Sequence, residues 1–371
     1  MKFSFKTPVV VFLFLIFILS AFSEGMNEEE YLNIGEIYVV GTPEFDNREI
    51  IEEKEFKAMN PVTIDQAIET VPGVDVSVGQ KNSYELTLRG ISQSKISLML
   101  DGIPLYEPYY YETDLSMVNL SAVSQLSVSK GYASAEYGAN TLGGVINMIT
   151  KESSDTPVLS ISASFGNNNT IYSDILTSKS FGKLDILFGL NYGKSDGYSL
   201  SKDYEENINE DGDVRENSNF DKLGTTLRFA YHPIENSTIA FSNYYFSGTK
   251  GLPWDEEAER DPWRYFNEPR YWDFSEYLKN INALDFNFVF ENFQIKEKIY
   301  HIKTDNTLDM YVDKDFEELA ESDTFDDYTF GHKFGLVLFN ENNYEFTMGF
   351  AYRKDFHKKI ADSFFYDEIE Y

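Results

Sequence analysis

A cluster of tyrosines is the group of side chains best suited to hold a ligand. Tyr106, Tyr109, Tyr110 and Tyr111 follow one another closely in the sequence. Tyrosine rings combine apolar faces with hydroxyl groups, and this combination suits a chelate or a planar ligand. The alternative is that these rings pack against a surrounding protein wall. Both roles are open at this point.

A second aromatic group lies in residues 254–277, which hold all three tryptophans together with several arginines. Trp254, Trp263 and Arg264 are its candidate ligand-binding residues. Tryptophans are also enriched where a membrane protein meets the membrane–water interface. An interfacial aromatic belt is therefore the competing interpretation, and it is the favoured one.

An acidic stretch offers oxygen ligands for a cation. Asn207, Asn209, Asp211 and Asp213 partly match the alternating carboxylates and amides of a calcium-binding loop. Ser218 stands where that pattern needs a bidentate glutamate. We therefore expect a solvated acidic loop, with calcium at Asn207 to Asp213 as the alternative, and we predict no other cofactor and no metal site.

No spacing of residues predicts an enzyme. The sequence lacks cysteine, and its four histidines do not have the spacing of zinc ligands. It contains no nucleophile elbow, phosphate-binding loop or dinucleotide fingerprint. The formal net charge of −31 argues against nucleic acid as a partner. We therefore predict that the protein is not an enzyme.

The first 23 residues have the pattern of a secretory signal peptide. Lys2 and Lys6 precede an apolar run at 9–19, and Ala21 and Ser23 have the spacing of a cleavage site. The run is shorter than the about 20 residues of a spanning helix. We predict cleavage after Ser23, with an uncleaved anchor as the alternative.

Residues 60–151 have the pattern of a compact α+β domain. Residues 61–70 predict a short helix, with Thr63 as its N-cap and Gln66 three residues later. Turn residues then separate a series of short predicted strands. These strands are expected at 74–78, 85–88, 97–100, 126–129 and 144–149.

From residue 158 onward, apolar and often aromatic residues alternate with small or polar ones. Leu223, Leu227, Phe229 and Tyr231 are an example of the apolar set. A soluble sandwich also alternates, but strands of about ten residues match a tilted bilayer crossing. Tight turns also alternate with long connections, as in outer-membrane barrels. The long connections are predicted at 196–219, 249–277 and 303–326, and the tight turns near 182, at 232–236, near 292 and at 340–343.

Four motifs occur in order within residues 60–151. PGV follows the predicted helix, LRG ends a strand, LMLDGIP covers the next strand, and a long motif spans 121–151. Together they resemble the plug domain of TonB-dependent outer-membrane receptors, with Lys130-Gly131-Tyr132 where the family often has Arg-Gly-Pro. The motif residues are Pro72, Gly73, Arg89, Gly90, Asp101, Gly102, Gly131, Tyr137, Gly138, Gly143 and Gly144.

Residues 24–59 are then predicted to be a periplasmic arm. Its segment EIYVVGT resembles the TonB box, which pairs as an added strand with the energising protein TonB. The alternative is that this segment is the first strand of the plug itself. The predicted TonB-binding residues are Glu36, Ile37, Tyr38, Val39 and Val40.

The resemblance implies an α+β plug domain (60–151) followed by a transmembrane antiparallel β-barrel (152–371) in the bacterial outer membrane. It implies high-affinity uptake of a metal chelate, such as a siderophore or cobalamin, driven by TonB and its ExbB–ExbD complex. In this family the ligand contacts come from the plug apex, here the tyrosine cluster, and from external loops. Arg89 and Asp101 are charges that either pair with the barrel wall or are ordinary turn charges.

The number of crossings sets a further expectation. Roughly nine or ten strands follow residue 151, about half of a 22-stranded barrel. Since an open sheet edge is not tolerated in lipid, we expect an incomplete barrel from a fragment or a split receptor. The alternative function is a truncated, non-transporting outer-membrane binding protein.

Overall fold

A computed structural model describes residues 48–59, 61–79, 81–108, 113–118, 120–131, 137, 141–153, 156–207, 209–254, 270–339, 345–362 and 366–367. Within these ranges no helix is long and apolar enough to cross a membrane. Several predictions lie outside the described residues: the signal peptide, the TonB-box residues Glu36–Val40, and the site residues Tyr109, Tyr110, Tyr111, Gly138, Trp263 and Arg264.

The N-terminal domain has two small sheets and two short helices. Its elements are β1 (Arg48–Glu52), α1 (Glu53–Lys57), α2 (Ile64–Ile68), β2 (Val74–Val78), β3 (Tyr84–Leu88), β4 (Ile91–Ser92), β5 (Ile96–Leu100), β6 (Ile103–Pro104), β7 (Val123–Lys130) and β8 (Gly144–Thr150). One sheet has the order β1-β7-β8-β5-β6 and the other β2-β3-β4. The strands β5 and β8 are parallel, and all other pairs are antiparallel.

The centre of the larger sheet consists of the two most apolar strands. Every residue of β5 (ISLML) and of β8 (GVINMIT) is buried. Strands covered on both faces have near-continuous apolar sequences, because neither face meets water. The predicted strands at 97–100 and 144–149 are therefore confirmed and lie side by side.

The helix predicted at 61–70 is shorter, and its cap differs. Thr63 is the N-cap residue of α2, but its side chain makes no capping hydrogen bond. Instead, Gln66 Oε1 accepts a hydrogen bond from the Val62 amide at 2.8 Å. Thr63 therefore takes the predicted N-cap position, but its side chain bonds to Asp65 instead of to a helix amide.

Residues 48–57 belong to the N-terminal domain, although the sequence prediction placed them in the arm. The strand β1 pairs with β7 from Arg48↔Ser129 to Glu52↔Gln125. Phe56 on α1 is 1% exposed. The charged residues around these positions hide the elements in the sequence, since only Ile51 and Phe56 are buried.

The second sheet is a continuous antiparallel array. Its strands are β9 (Val158–Phe165), β10 (Ile171–Phe181), β11 (Leu184–Ser195), β12 (Phe220–Tyr231), β13 (Ser237–Leu252), β14 (Trp272–Val289), β15 (Phe293–Tyr311), β16 (Leu319–Phe339), β17 (Glu345–Phe356), β18 (Lys359–Ala361) and β19 (Tyr366–Asp367). Each strand from β9 to β16 pairs with the next one in the chain. Residues 323–325 of β16 pair with β18, and residues 328–339 of β16 pair with β17.

The sheet wraps one side of the N-terminal domain, and its two faces differ as the alternation predicts. On β12, Thr226 and Arg228 are buried, whereas Leu223, Phe229 and Tyr231 are exposed. The exposed set is the lipid-facing surface of a barrel wall. Within the described residues no pair joins β9 to β19, so the sheet is open, and an α+β plug with an incomplete barrel is confirmed.

Two long connections are shorter than predicted, because the strands extend beyond ten residues. The strands β14, β15 and β16 have 18, 19 and 21 residues. The connections are accordingly 253–271 and 312–318 rather than 249–277 and 303–326. The apolar residues of the added strand segments, such as Phe274 and Leu308, lie in the core shared with the plug, so these segments lack the apolar outward-facing set on which the strand prediction relied.

The inner face of the wall is partly apolar, which the sequence analysis did not predict. Tyr244, Phe246 and Ile281 are almost fully buried and share one core with Leu126 and Ile146 of the plug. An apolar wall position is favourable where it meets an apolar plug surface instead of water. The prediction of a small or polar inner face was therefore wrong for these positions.

Candidate functional site

Five lysines connect the wall to the plug, and we call them the lysine girdle. Each comes from a different one of five neighbouring strands, β12 to β16, and each donates a hydrogen bond to a main-chain carbonyl of the plug. The bonds are Lys222 to Ser116 (2.9 Å), Lys250 to Asn82 (3.2 Å), Lys279 to Leu105 (2.9 Å), Lys298 to Asp101 (2.7 Å) and Lys333 to Gly102 (2.7 Å).

The girdle has a clear electrostatic basis. A buried ammonium group is unfavourable unless it is paired or hydrogen-bonded. Carbonyl oxygens satisfy the lysines, and bonds to a charged donor are stronger than neutral ones. Because these acceptors are backbone atoms, the girdle bonds follow the path of the plug chain, and Lys250 adds a side-chain contact to Asp114.

Removal of a girdle lysine tests this attachment. We expect Lys279→Met to weaken the local stability of the plug by about 2 kcal/mol, because the Leu105 carbonyl loses a charged donor in a buried place. Hydrogen exchange at the Leu105 amide, which bonds to the Leu98 carbonyl, measures the change. Lys354→Met is the matched control, since Lys354 lies over the Phe356 ring on β17 and outside the girdle. Equal effects of the two variants would contradict the assignment.

Asp101 organises the turn between β5 and β6. Its Oδ1 accepts a hydrogen bond from the Thr150 amide at 2.9 Å, and its Oδ2 accepts one from Thr150 Oγ1 at 2.7 Å. The Tyr244 hydroxyl on the wall donates to the same Oδ2. Asn147 Oδ1 accepts from the Gly102 amide at 2.9 Å. Asp101 therefore joins two plug strands to the barrel wall.

A buried ion pair forms a second connection. Asp114 Oδ2 and Lys250 Nζ are 2.6 Å apart, and both side chains are buried. Burial alone would raise the pKa of Asp114. The Lys250 ammonium and hydrogen bonds from Lys250 and Ser116 outweigh burial, so the pKa of Asp114 lies below its ordinary value. The carboxylate is therefore ionised at neutral pH.

This pair predicts a pH dependence. Since the pKa of Asp114 is lower in the folded protein, its contribution is present above the unfolded pKa of about 3.9 and is lost as the pH falls through the folded value. We expect plug stability to fall below about pH 4, measured by hydrogen exchange at Ser116. In Asp114→Asn that acid-dependent part should be smaller. An unchanged acid profile in this variant would contradict the prediction.

A polar cavity lies beside this ion pair at the top of the plug. It is bounded by the β2–β3 connection, by the segment after β6 and by β14. Phe274 and Tyr277 form its aromatic wall, with ring centroids 5.9 Å apart in an edge-to-face arrangement. The Tyr277 hydroxyl donates to Glu107. The lining residues are Lys81, Ser83, Glu85, Glu107, Thr113, Asp114, Phe274 and Tyr277.

Tyr106 is the predicted ligand residue nearest to this cavity in the chain. Its ring lies below the Arg353 guanidinium, 4.3 Å from the ring centroid. Arg353 also binds Asp355 at 2.7 Å. In this structure Tyr106 thus packs against the wall, and its ligand contact stays a prediction.

Trp254 lies at the junction of three loops. It is 4% exposed, and its ring contacts Tyr271 at 5.0 Å and Phe316 at 6.2 Å between centroids. Its indole N–H donates to the Asn209 carbonyl at 3.0 Å, and Arg215 donates to its own carbonyl. The residue holds the loops together here, and a direct ligand contact stays a prediction.

The acidic loop brings three carboxylates together, with ligand atoms of Glu210, Asp211 and Glu216 all within 4.8 Å of one another. Only Asp211 belongs to the predicted calcium set. Burial, followed by the neighbouring Asp211, raises the pKa of Glu216. Glu210 is already paired with Arg215. Because calcium prefers six to eight oxygens, this set is too small for a cage, and calcium binding stays a prediction.

The plug-motif glycines lie at turns and close approaches. Gly144 has φ +135°, and a Cβ atom there would lie 2.3 Å from the Ser129 carbonyl oxygen. Asp101 itself has φ +49° in the turn before Gly102. Arg89, predicted either to pair with the wall or to be a turn charge, is exposed in a left-handed turn with φ +53°. These motif residues therefore occupy positions that need a left-handed backbone conformation or a close approach of two backbone segments.

Sequence reasoning missed the girdle. The alternation places its lysines on the polar side of each strand, which is the only signal that could have found them. Their acceptors are remote in the chain; Lys333 and Gly102 are 231 positions apart. No local pattern contains such a pair.

A family model described as the TonB-dependent receptor plug domain matches residues 46–145. The copper transporter OprC matches with a TM-score of 0.69 at 15% identity, over 85% of this chain and 47% of that chain. The FrpB iron transporter from Neisseria meningitidis (F3-3 variant) matches with 0.69 at 16%, over 86% and 50%. The siderophore receptor PiuA from Acinetobacter baumannii matches with 0.63 at 19%, over 85% and 46%.

These matches define the fold of the protein: a plug domain attached to part of the wall of an outer-membrane type of β-barrel. The family model places residues 46–145 in the TonB-dependent receptor plug domain family, which confirms the resemblance seen in the sequence. The chain spans about half the length of the solved chains it matches. Those proteins are named as transporters and a siderophore receptor.

Proposed function

We propose that the protein acts in TonB-dependent, high-affinity uptake of a metal chelate across the bacterial outer membrane. The observation that carries this proposal is the plug itself, held against the wall by five lysines from five strands. A plug attached by polar bonds blocks passage at rest, and polar bonds can be exchanged for bonds to water when the plug moves.

The cavity at the top of the plug supports a binding step before passage. It combines the Phe274 and Tyr277 rings with the carboxylates of Glu107 and Asp114. Aromatic faces with a few placed polar groups occur in small-molecule sites, and a cavity this small would take one group of a ligand rather than the whole ligand. The neighbours named for copper, iron and siderophores make a metal or its chelate the proposed substrate class.

TonB, energised by the ExbB–ExbD complex, is the proposed partner. It would pair with the segment Glu36–Val40 as an added β-strand, because an extended β-branched segment suits pairing through main-chain hydrogen bonds. The segment precedes β1, which pairs with β7 in the plug. A pull on the arm would therefore reach the plug through β1.

Energy-dependent uptake tests this function. We expect Val39→Pro to lower the accumulation of radiolabelled ferric citrate or copper at least about tenfold in energised cells, because proline cannot donate the strand hydrogen bond. Surface binding should be unchanged. Leu32→Pro, in the same arm but outside the TonB-box-like segment, is the matched control. Uptake that is as high in Val39→Pro as in the unaltered protein would overturn the proposal.

A further inference from the structure

The long connections of the barrel wall carry a strong negative charge. Residues 196–219 contain eight carboxylates and two cationic side chains. Residues 312–318 contain four carboxylates and one lysine. A mouth lined by one sign of charge raises the local concentration of the opposite sign and accelerates its association.

The opposite end of the same wall lacks this charge. The short turns at 182–183, 232–236 and 290–292 together hold one lysine and two glutamates. The acidity is thus a property of the long connections and does not simply repeat the composition of the chain. An anionic chelate would approach this mouth against repulsion.

The cations of the inner wall near this mouth are already engaged. The girdle lysines bind plug carbonyls. Lys359 pairs with Asp323 at 2.7 Å, and Arg353 pairs with Asp355 at 2.7 Å. These cationic side chains therefore already have protein partners before an anionic ligand could bind.

The wall has unsatisfied acceptor oxygens that also include Asn191 Oδ1 and Asp273 Oδ1, and two of these oxygens lie on the adjacent strands β15 and β16. Asn306 Oδ1 and Asp323 Oδ1 have no hydrogen-bond partner within the described part of the chain, and their side chains belong to residues that are only 4% and 5% exposed. Such buried unsatisfied atoms are rare and call for a ligand or another explanation.

The register places these two residues together. Asn306 on β15 pairs with Phe325 on β16, and Leu308 pairs with Asp323. Asn306 and Asp323 are therefore diagonal neighbours on one face, a separation of about 7–8 Å in ordinary sheets. Asp327, on the same face of β16, is also buried, and its Oδ1 already binds His357 Nδ1 at 2.7 Å.

We infer that the ligand of this receptor is a cation, either a metal ion or a chelate that carries net positive charge and N–H or O–H donors. This inference rests on the proposed function and specifies its substrate class. The acidic connections attract the cation, and Asn306 and Asp323 on the inner wall accept its donors or coordinate its metal.

Two inert complexes of similar size and opposite charge provide the test. Cobalt(III) hexaammine is a trivalent cation covered with N–H donors, and hexacyanoferrate(III) is a trivalent anion. With the folded full-length chain in detergent, we expect calorimetry to show hexaammine binding that weakens as salt rises to about 0.3 M, and no hexacyanoferrate binding. The double variant Asn306→Leu, Asp323→Asn should weaken hexaammine binding at least about tenfold.

Asp326→Asn is the matched control, because Asp326 lies on β16 next to Asp327 but pairs with Lys303 on the outer face. Its hexaammine affinity should change less than about twofold. If the double variant does not fold, Asn306→Leu alone carries the test. The inference would be overturned if hexacyanoferrate bound more tightly than hexaammine. It would also be overturned if Asp326→Asn lost as much hexaammine affinity as the double variant Asn306→Leu, Asp323→Asn.

This result is separable from the uptake test. If energised cells accumulate an anionic chelate through the protein in a way that Val39→Pro abolishes, the transport function stands and the cation inference fails. If hexaammine binds as expected but Val39→Pro has no effect on uptake, the inference about the ligand stands and the transport proposal fails.

Discussion

Asp101→Ala is expected to destabilise the plug by about 3–5 kcal/mol, because one substitution removes the acceptor of three buried hydrogen bonds. The Thr150 amide, the Thr150 hydroxyl and the Tyr244 hydroxyl would all lose their partner. Alanine also tolerates φ +49° less well than aspartate. Hydrogen exchange at the amides of Leu98 and Met148 in the folded chain measures the loss.

Asp101→Asn separates the two causes. Asparagine accepts the left-handed backbone conformation and can still accept a hydrogen bond from the Thr150 amide. We expect this variant to lose less than half of the stability lost by alanine. If both variants lost the same amount, the negative charge of the carboxylate rather than its hydrogen bonds would explain the effect.

Gly144→Ala is expected to cost at least about 3 kcal/mol, because an added methyl group meets backbone at a strained position. A Cβ atom at Gly144 would lie 2.3 Å from the Ser129 oxygen and 2.8 Å from Leu88 Cδ2. The Ser129 carbonyl belongs to β7, the partner of β8, so relief requires separation of these strands. Protease resistance of the plug should fall markedly.

Gly335→Ala provides the matched control for this substitution. Gly335 is also a strand glycine, but the atom nearest to an added Cβ there is Lys296 Cβ at 3.8 Å, an ordinary van der Waals distance. We expect its effect to stay below about 1 kcal/mol. A similar loss in both variants would show that strand glycines are generally needed and would contradict the specific clash at Gly144.

The plug strands were predictable because local sequence determines them. The predicted strand at 74–78 coincides with β2, where Val74, Val76 and Val78 alternate with polar residues. The strand β1 was missed, because Glu49 and Glu52 surround its two isoleucines and obscure the apolar pattern. The wall strands were found by alternation, but the segments of β14, β15 and β16 next to the long connections were taken for loops, because their apolar residues face the plug instead of forming an outward-facing set.

The candidate site was less predictable, because its contacts join distant parts of the chain. Alternation shows that Lys279 and Lys298 share the inner face, but it cannot show that they bind the carbonyls of Leu105 and Asp101. Trp254 illustrates the same difficulty. Its residue type suggested a ligand contact or a position at the membrane–water interface, whereas in the structure it contacts three loops from separate parts of the wall.

The lysine girdle has a consequence for how such a receptor can change over time. Its acceptors are main-chain oxygens, so any plug sequence that follows the same backbone path meets the same five ammonium groups. Residues such as Tyr106 and Glu107 can then be exchanged without altering these five main-chain bonds. Specificity and anchorage become separable traits, and a lineage can acquire a new nutrient by varying the apex while inheriting the wall unchanged.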